Sequence, residues 1–144
     1  MIAIASDHAG VAVKADVVRQ LQEMGLDVED LGPADTTSVD YPDYAHLLAR
    51  AVADGRVERG VLICGTGIGM SMTANRHRGV RAALCHDAYT AEMARRHNDA
   101  NVLCLGARVL GAGVVEQIVG VFVTTDFEGD RHQRRVAKID REEP

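Results

Sequence analysis

Short apolar runs alternate with longer amphipathic stretches along the whole chain. Five runs have the length and the aliphatic content of buried strands, and they cover residues 2–6, 26–32, 60–65, 80–86 and 101–106. Between these runs, apolar residues recur every three or four positions, which predicts helices. The helical segments are 10–25, which stops at the helix-ending residue Gly25, and then 43–57, 86–98 and 111–125.

Alternation of strands and helices predicts a parallel sheet with helices on both faces. We therefore expect an α/β fold, a single three-layer α/β/α sandwich of Rossmann-like type with about five parallel strands. The length of 144 residues is typical of one domain, so residues 1–144 are predicted to form one unit, with a basic helix at about 131–141. Ligands of such sheets bind beyond the carboxyl ends of the strands, so the loops there are the place to look for a site.

Composition narrows the class of protein. The net charge of -5 argues against a nucleic-acid partner, and no apolar run approaches the ~18 residues that would place the chain in a membrane. The first residues carry no pattern of a secretion signal, so we expect a cytoplasmic protein. Cys64, Cys85 and Cys104 are too far apart for a zinc knuckle or a C-x-x-C pair, and an odd number of cysteines is typical of a reducing compartment.

The most informative segment is GVLICGTGIGMSM, residues 60–72, where Cys64 ends a strand and glycines occupy every second position from 65 to 69. It matches neither a dinucleotide motif, because residue 70 is methionine, nor a P-loop, because no lysine follows. Alternating glycines let backbone N–H groups gather around an anion, although they also occur in plain strand-to-helix turns. A thiol beside a helix N-terminus is suited to act as a base or nucleophile. Cys85 and Cys104 lack such a loop and are predicted to be core residues.

Two other element ends carry polar residues with two possible interpretations. Asp7 follows the first strand and is either a helix cap or part of a site, and His8 next to it is suited to hold a phosphate at the first helical turn. His97 and Asn98 close the helix before the fifth strand. A histidine there either complements the helix dipole or transfers protons near neutral pH.

The basic segment near the C-terminus contains Arg131 and Arg135, which are four residues apart and therefore on one face of a helix. Paired guanidinium groups suit the oxygens of a phosphate. A solvated helix face readily explains Arg134 and Lys138, and it explains the spaced pair of arginines less well.

Six motifs, in the same order and spacing, resemble the ribose-5-phosphate isomerase B family, which also contains allose- and galactose-6-phosphate isomerases. The motifs are SDHAG, DYPDYA, CGTGIGMSMTANR, HNDANVL, LGARVLG and GDRHQRRVAKI. The resemblance covers essentially the whole chain. It implies an aldose-ketose isomerase that interconverts D-ribose 5-phosphate and D-ribulose 5-phosphate in the non-oxidative pentose phosphate pathway, without metal or cofactor. It also implies a homodimer or homotetramer with sites between subunits.

The resemblance implies a role for each candidate residue. Cys64 is similar to the base that moves a proton between C2 and C1 through a cis-enediolate, and Thr66 to the group that handles protons on the sugar oxygens. His97, with Asp7, resembles the acid/base pair that opens the sugar ring. The implied anion hole consists of the backbone amides from Gly65 through Gly67 and Ile68 to Gly69. The implied contacts to sugar hydroxyls are Asn98 and Tyr41, and the implied phosphate ligands are His8, Arg108, Arg131 and Arg135.

Two positions distinguish this chain within the family it resembles. A subgroup has a catalytic glutamate at the position of Met70, so this chain follows the cysteine type, which predicts inhibition by thiol-blocking reagents. Asp130 replaces a glycine of the usual Gly-Gly-Arg-His sequence and places a negative charge beside a phosphate ligand.

Other functions stay open at this point. One is an isomerase of a six-carbon or four-carbon sugar phosphate, and another is a phosphosugar-binding subunit without activity. The third is a thiol-dependent hydrolase in which His97 activates Cys64. The presence of Asp7, Cys64, Thr66 and His97 in one chain favours an isomerase.

Overall fold

The computed structural model describes residues 1–141, which contain a five-stranded parallel sheet with helices on both faces. Its strands are β1 (Ile2–Ser6), β2 (Val28–Asp30), β3 (Arg59–Cys64), β4 (Ala82–Leu84) and β5 (Val102–Gly106), in the order β2-β1-β3-β5-β4. Its helices are α1 (Val11–Glu23), α2 (Tyr41–Ala53), α3 (Ile68–Ala74), α4 (Ala88–Asn98), α5 (Ala112–Thr124) and α6 (Arg131–Ile139). The predicted three-layer α/β architecture is confirmed. The predicted domain ran to residue 144, and its last residues, 142–144, lie outside the described part.

The central strand β3 shows why the sheet is covered on both faces. Val61 and Ile63 belong to a core shared with α1, α4 and α5, whereas Leu62 and Cys64 belong to the opposite core with α2 and α3. All four side chains are at most 5% exposed. Because burial of one aliphatic side chain contributes about 1.5–3 kcal/mol, these two cores hold β3 firmly between its neighbours.

The edge strands are shorter than the sequence pattern predicts. β2 pairs with β1 over Val28–Asp30 and β4 pairs with β5 over Ala82–Leu84, inside the predicted runs 26–32 and 80–86. An edge strand receives hydrogen bonds from one neighbour only, so the apolar residues at its ends stay outside the ladder. The three inner strands match their predicted bounds to within one residue.

Helix α3 begins inside the segment that the sequence assigned to the glycine loop. The helix starts at Ile68, so Gly69 lies in its first turn and the loop proper ends at Gly67. Met70 and Ala74 are four residues apart and fully buried against the sheet. This packing outweighs the low helix propensity of Gly69.

Among the helices of residues 1–141, none is long and apolar enough to cross a bilayer.

The connection into α6 passes through a residue in an unfavourable backbone conformation. Asp130 has φ 47° and ψ -127° directly before the helix. Side-chain-bearing residues avoid this region, whereas glycine adopts it readily. This conformation gives a physical reason for the glycine that is usual at this position in the family that the sequence resembles.

We predict that Asp130→Gly raises the free energy of unfolding by about 1 kcal/mol, because the gain from relieved strain exceeds the entropy cost of glycine. Urea denaturation measures the change. Asp130→Asn is the matched control, since it removes the charge and keeps the Cβ atom, and it is expected to change stability little. Equal stability of the two variants would show that residue 130 is not strained.

Candidate active site

The carboxyl ends of β1 and β3 lie side by side at the centre of the sheet. Ser6 pairs with Ile63 in register, and the N–H of Asp7 donates to the Ile63 carbonyl at 3.0 Å. The chain leaves β1 for β2 on one side and reaches β3 on the other, so the strand order reverses between β1 and β3. Ligands of open α/β sheets bind in the crevice at such a reversal. Asp7 directly follows the last residue of β1, and Cys64 is the last residue of β3.

The sulfur of Cys64 accepts a hydrogen bond from the backbone N–H of Gly67 at 3.1 Å. An N–H directed at sulfur interacts more strongly with a thiolate than with a thiol. Gly67 has φ 78°, and a Cβ atom there would lie 2.9 Å from the carbonyl carbon of Leu105. The turn that directs this N–H at the sulfur therefore requires glycine.

Two of the amides predicted to form an anion hole are engaged within the loop. The N–H of Gly67 donates to Cys64, and the N–H of Ile68 donates to the hydroxyl oxygen of Thr66 at 3.3 Å. An oxyanion bound here competes with the sulfur and the hydroxyl for these donors. Thr66 is exposed, so its hydroxyl is accessible to a bound molecule.

Tyr41 and Arg108 approach the same loop from two sides. A Cβ atom on Gly69 would lie 2.5 Å from the ring of Tyr41, so that ring lies directly against the backbone of α3. A Cβ atom on Gly65 would lie 3.3 Å from the guanidinium of Arg108, and the backbone N–H of Arg108 donates to the Gly65 carbonyl at 3.0 Å. An aromatic hydroxyl and a cation thus flank residues 64–69, which we call the thiol loop.

Asp7 and His8 complete this group at the end of β1. Asp7 is 7% exposed and its Oδ1 accepts from the N–H of Ala9 at 2.9 Å, so Asp7 caps the 3₁₀ turn His8–Gly10 that leads into α1. His8 Nδ1 accepts from the N–H of Val39 at 3.2 Å. This hydrogen bond assigns the proton of a neutral His8 ring to Nε2, which becomes a donor suited to an anion.

The remaining predicted site residues lie at the opposite edge of the sheet. His97 and Asn98 end α4, which begins after the carboxyl end of β4 and returns to the amino end of β5. Arg131 and Arg135 are exposed on α6, which packs against α4.

The register of β3 and β5 sets the separation of the two groups. Cys64 is level with Gly106, and Gly60 is level with Val102 at the start of β5. Four residues of extended strand correspond to about 13 Å, and His97 lies beyond that point. One chain therefore does not bring His97 within reach of Cys64.

Two residues beside His97 were missed by the sequence analysis. The rings of His97 and His132 stack with centroids 4.2 Å apart, and each Nε2 faces Glu128 Oε2, at 3.9 Å and 3.6 Å respectively. Burial, followed by the neighbouring His97, lowers the pKa of His132. The Glu-x-x-x-His spacing at the start of the basic helix is the signal that points to this pair.

The other cysteines differ from Cys64 in their surroundings. Burial raises the pKa of the Cys85 thiol to about 11, and it also raises the pKa of Cys104. Both side chains are at most 1% exposed, which confirms that they are core residues.

The site combines a thiol that has a backbone donor with a neighbouring carboxylate and an adjacent guanidinium, and it lies where the strand order reverses. These features define an α/β enzyme equipped to transfer protons on an anionic substrate. Comparison with known proteins agrees with this class. The chain belongs to the Ribose/Galactose Isomerase family, whose model matches residues 2–139.

Individual relatives cover nearly the same span. The ribose-5-phosphate isomerase B of Escherichia coli is 45% identical over 138 residues, which cover 96% of this chain and 93% of that protein. A D-erythrulose-4-phosphate isomerase of Pectobacterium atrosepticum is 44% identical over 140 residues, covering 96% of this chain and 91% of that protein. The structure of the Clostridium thermocellum ribose-5-phosphate isomerase B superimposes with a TM-score of 0.95 at 45% identity, covering 96% of this chain and 94% of that one. The prediction of an isomerase from the sequence motifs is confirmed.

We predict that iodoacetamide at pH 8 alkylates Cys64 well before Cys85 and Cys104, as followed by peptide mass mapping. A thiol is unreactive while protonated, and the raised pKa values of Cys85 and Cys104 keep both protonated at this pH. The Cys64→Ala variant should take up label only slowly. Equally fast labelling of Cys85 in the native protein would contradict the assignment.

Proposed function

We propose that this isomerase interconverts D-ribose 5-phosphate and D-ribulose 5-phosphate through a cis-enediolate. The observation that carries the proposal is the Cys64 sulfur, with the Gly67 N–H directed at it, next to Asp7 at the reversal of strand order. Similarity to the Escherichia coli enzyme supports the pentose substrate. The relative that acts on a four-carbon sugar phosphate is almost equally similar, which makes a tetrose phosphate the competing candidate.

The first chemical step is opening of the sugar ring. The C2 proton is acidic only next to a free carbonyl, and the closed furanose has none. His97 and Asp7 act as the acid/base pair, so that the proton of the C1 hydroxyl leaves while the ring oxygen gains one.

The second step is proton transfer between carbons. The Cys64 thiolate takes the proton from C2, and negative charge develops on the C1 oxygen. The loop amides stabilise that charge, at about 3 kcal/mol for each well-placed donor. Thr66 moves the hydroxyl proton from O2 to O1, and the Cys64 thiol returns its proton to C1, which yields the ketose.

Each complete site requires two copies of the chain. Asp7, Cys64 and Thr66 lie at one edge of the sheet and His97 at the other, so a second copy must present its His97 to the thiol loop of the first. The phosphate ligands divide in the same way, with His8 and Arg108 from one copy and Arg131 and Arg135 from the second. The assembly is therefore a homodimer or homotetramer with sites between subunits.

A cytoplasmic location fits the thiol chemistry. Within residues 1–141 all three cysteines are free. A reducing compartment keeps a catalytic thiol out of disulfides.

We predict that Cys64→Ala lowers the turnover of ribose 5-phosphate by about 1,000-fold while substrate binding changes little, because the thiol acts on the reacting proton. The assay follows ribulose 5-phosphate formation by the native protein, with erythrose 4-phosphate and allose 6-phosphate in parallel. Binding is measured by calorimetry. Cys85→Ala, which removes a thiol from the opposite core, is the control and should keep near-native turnover. Native turnover in Cys64→Ala would overturn the mechanism, whereas preference for the tetrose would change only the substrate.

We predict that two inactive variants, Cys64→Ala and His97→Asn, regain activity when they are unfolded and refolded together. In a random mixture half of the dimers are mixed, and each mixed dimer holds one intact site, which gives about a quarter of native activity. Each variant refolded alone is the control. Failure of the mixture to exceed both controls, with mixed dimers demonstrated by mass spectrometry, would show that each site lies within one chain.

A further inference from the structure

Three side chains outside the thiol loop converge on one point at the amino edge of the sheet. His97 comes from the last turn of α4, His132 from the first turn of α6, and Glu128 from the segment between α5 and α6. One ligand atom of each residue lies within 4.8 Å of the others. The N–H of Glu128 donates to the Arg96 carbonyl at 3.1 Å, which ties this segment to the end of α4. The backbone therefore fixes the two halves of the cluster relative to each other.

The cluster has an unmet bonding requirement. His132 is 5% exposed, and its Nε2 is buried without a hydrogen-bond partner among the described residues. The 3.6 Å separation from Glu128 Oε2 is too long for a hydrogen bond. A buried nitrogen that has lost water and gained no partner costs about 1–3 kcal/mol. A ligand that bonds to Nε2 of His132 would remove this free-energy cost, which favours its binding here.

The donor atoms of the three side chains decide which kind of ligand fits the cluster. Arg96 lies 3.5 Å from Glu128 Oε1, which leaves Oε2 directed at the two imidazoles. Two imidazoles and one carboxylate form a ligand set that suits zinc and its neighbours in the transition series.

Coordination requires the His97 ring to turn out of its stack with His132, because a metal ion lies in the plane of each imidazole that binds it. Ligand atoms around a tetrahedral zinc ion with bonds of about 2.1 Å lie roughly 3.4 Å apart. The present separations from Glu128 Oε2 are 3.6 Å and 3.9 Å. The side chains of His97 and Glu128 are 38% and 43% exposed, so both are free to close around an ion while His132 stays fixed.

We propose that His97, Glu128 and His132 form a binding site for a divalent transition-metal ion such as Zn²⁺, with a fourth position open to water. A bound ion occupies the ring nitrogen of His97 that ring opening requires. The ion is therefore an inhibitor, and this consequence, unlike the binding itself, rests on the proposed function of His97.

Binding is tested with Zn²⁺ alone, by equilibrium dialysis of the full chain at pH 7.5 with a buffered free-metal concentration. We expect one ion per chain in the native protein and an affinity lowered by roughly 10- to 100-fold in Glu128→Gln, which is exposed and leaves the fold intact. His132→Asn should behave in the same way. His77→Asn is the matched control, because His77 Nε2 lies 2.7 Å from His46 Nδ1 in a second histidine pair that lacks a carboxylate. Native affinity in Glu128→Gln, or loss of binding in His77→Asn, would overturn the proposal.

Co²⁺ distinguishes this cluster from the thiol. Cobalt at His97, Glu128 and His132 gives visible bands without thiolate charge-transfer absorption, and the same spectrum is expected from Cys64→Ala. A charge-transfer band that disappears in Cys64→Ala would place the ion on the thiol and refute the site. Isomerase assays then separate the two proposals. Zn²⁺ that binds at the cluster but leaves turnover unchanged would keep the metal site and refute the role of His97.

Discussion

Parallel pairing of β3 with β1 on one side and β5 on the other is the constraint on which the rest of the molecule depends. It buries β3 on both faces, so the strand must be apolar from Val61 to Cys64. It also collects all strand carboxyl ends at one edge and returns each crossover helix to the other. The thiol loop lies at one of these edges, and the cluster of His97, Glu128 and His132 lies at the other. The distance between them follows from the length of β3 rather than from any contact between them.

The main effect of the glycines in the thiol loop is to leave space for neighbouring groups. Gly65 makes room for Arg108, Gly69 for the ring of Tyr41, and Gly67 turns the backbone so that an N–H reaches the sulfur. The alternating spacing indicated an anion-binding nest from sequence alone. The structure shows that the same spacing also lets the side chains of Tyr41 and Arg108 lie close to the backbone of this loop.

Secondary-structure elements with a regular hydrophobic pattern were predictable from the sequence, whereas the distances between elements were not. The inner strands are apolar because both faces are covered, so their bounds follow from composition, whereas the edge strands end where their single partner ends. Cys64 was recognisable because it ends a strand, and Asp7 and His8 because they directly follow one. Glu128 was not, since its importance depends on α6 packing against α4, and the placement of His97 on the far edge becomes visible only with the strand register. The start of α3 was obscured because Gly69 lowers helix propensity while the buried Met70 restores the helix.

In the proposed assembly each active site takes residues from two copies of the chain, so catalysis depends on protein concentration. In an assembly of the proposed kind, a lone chain holds a base without its acid and an acid without its base. Activity per chain then falls as the protein is diluted below the dissociation constant of the dimer, and substrate that bridges two subunits opposes that loss. Under this proposal, the length of β3, rather than any residue in the pocket, links the rate of isomerisation to the abundance of the enzyme in the cell.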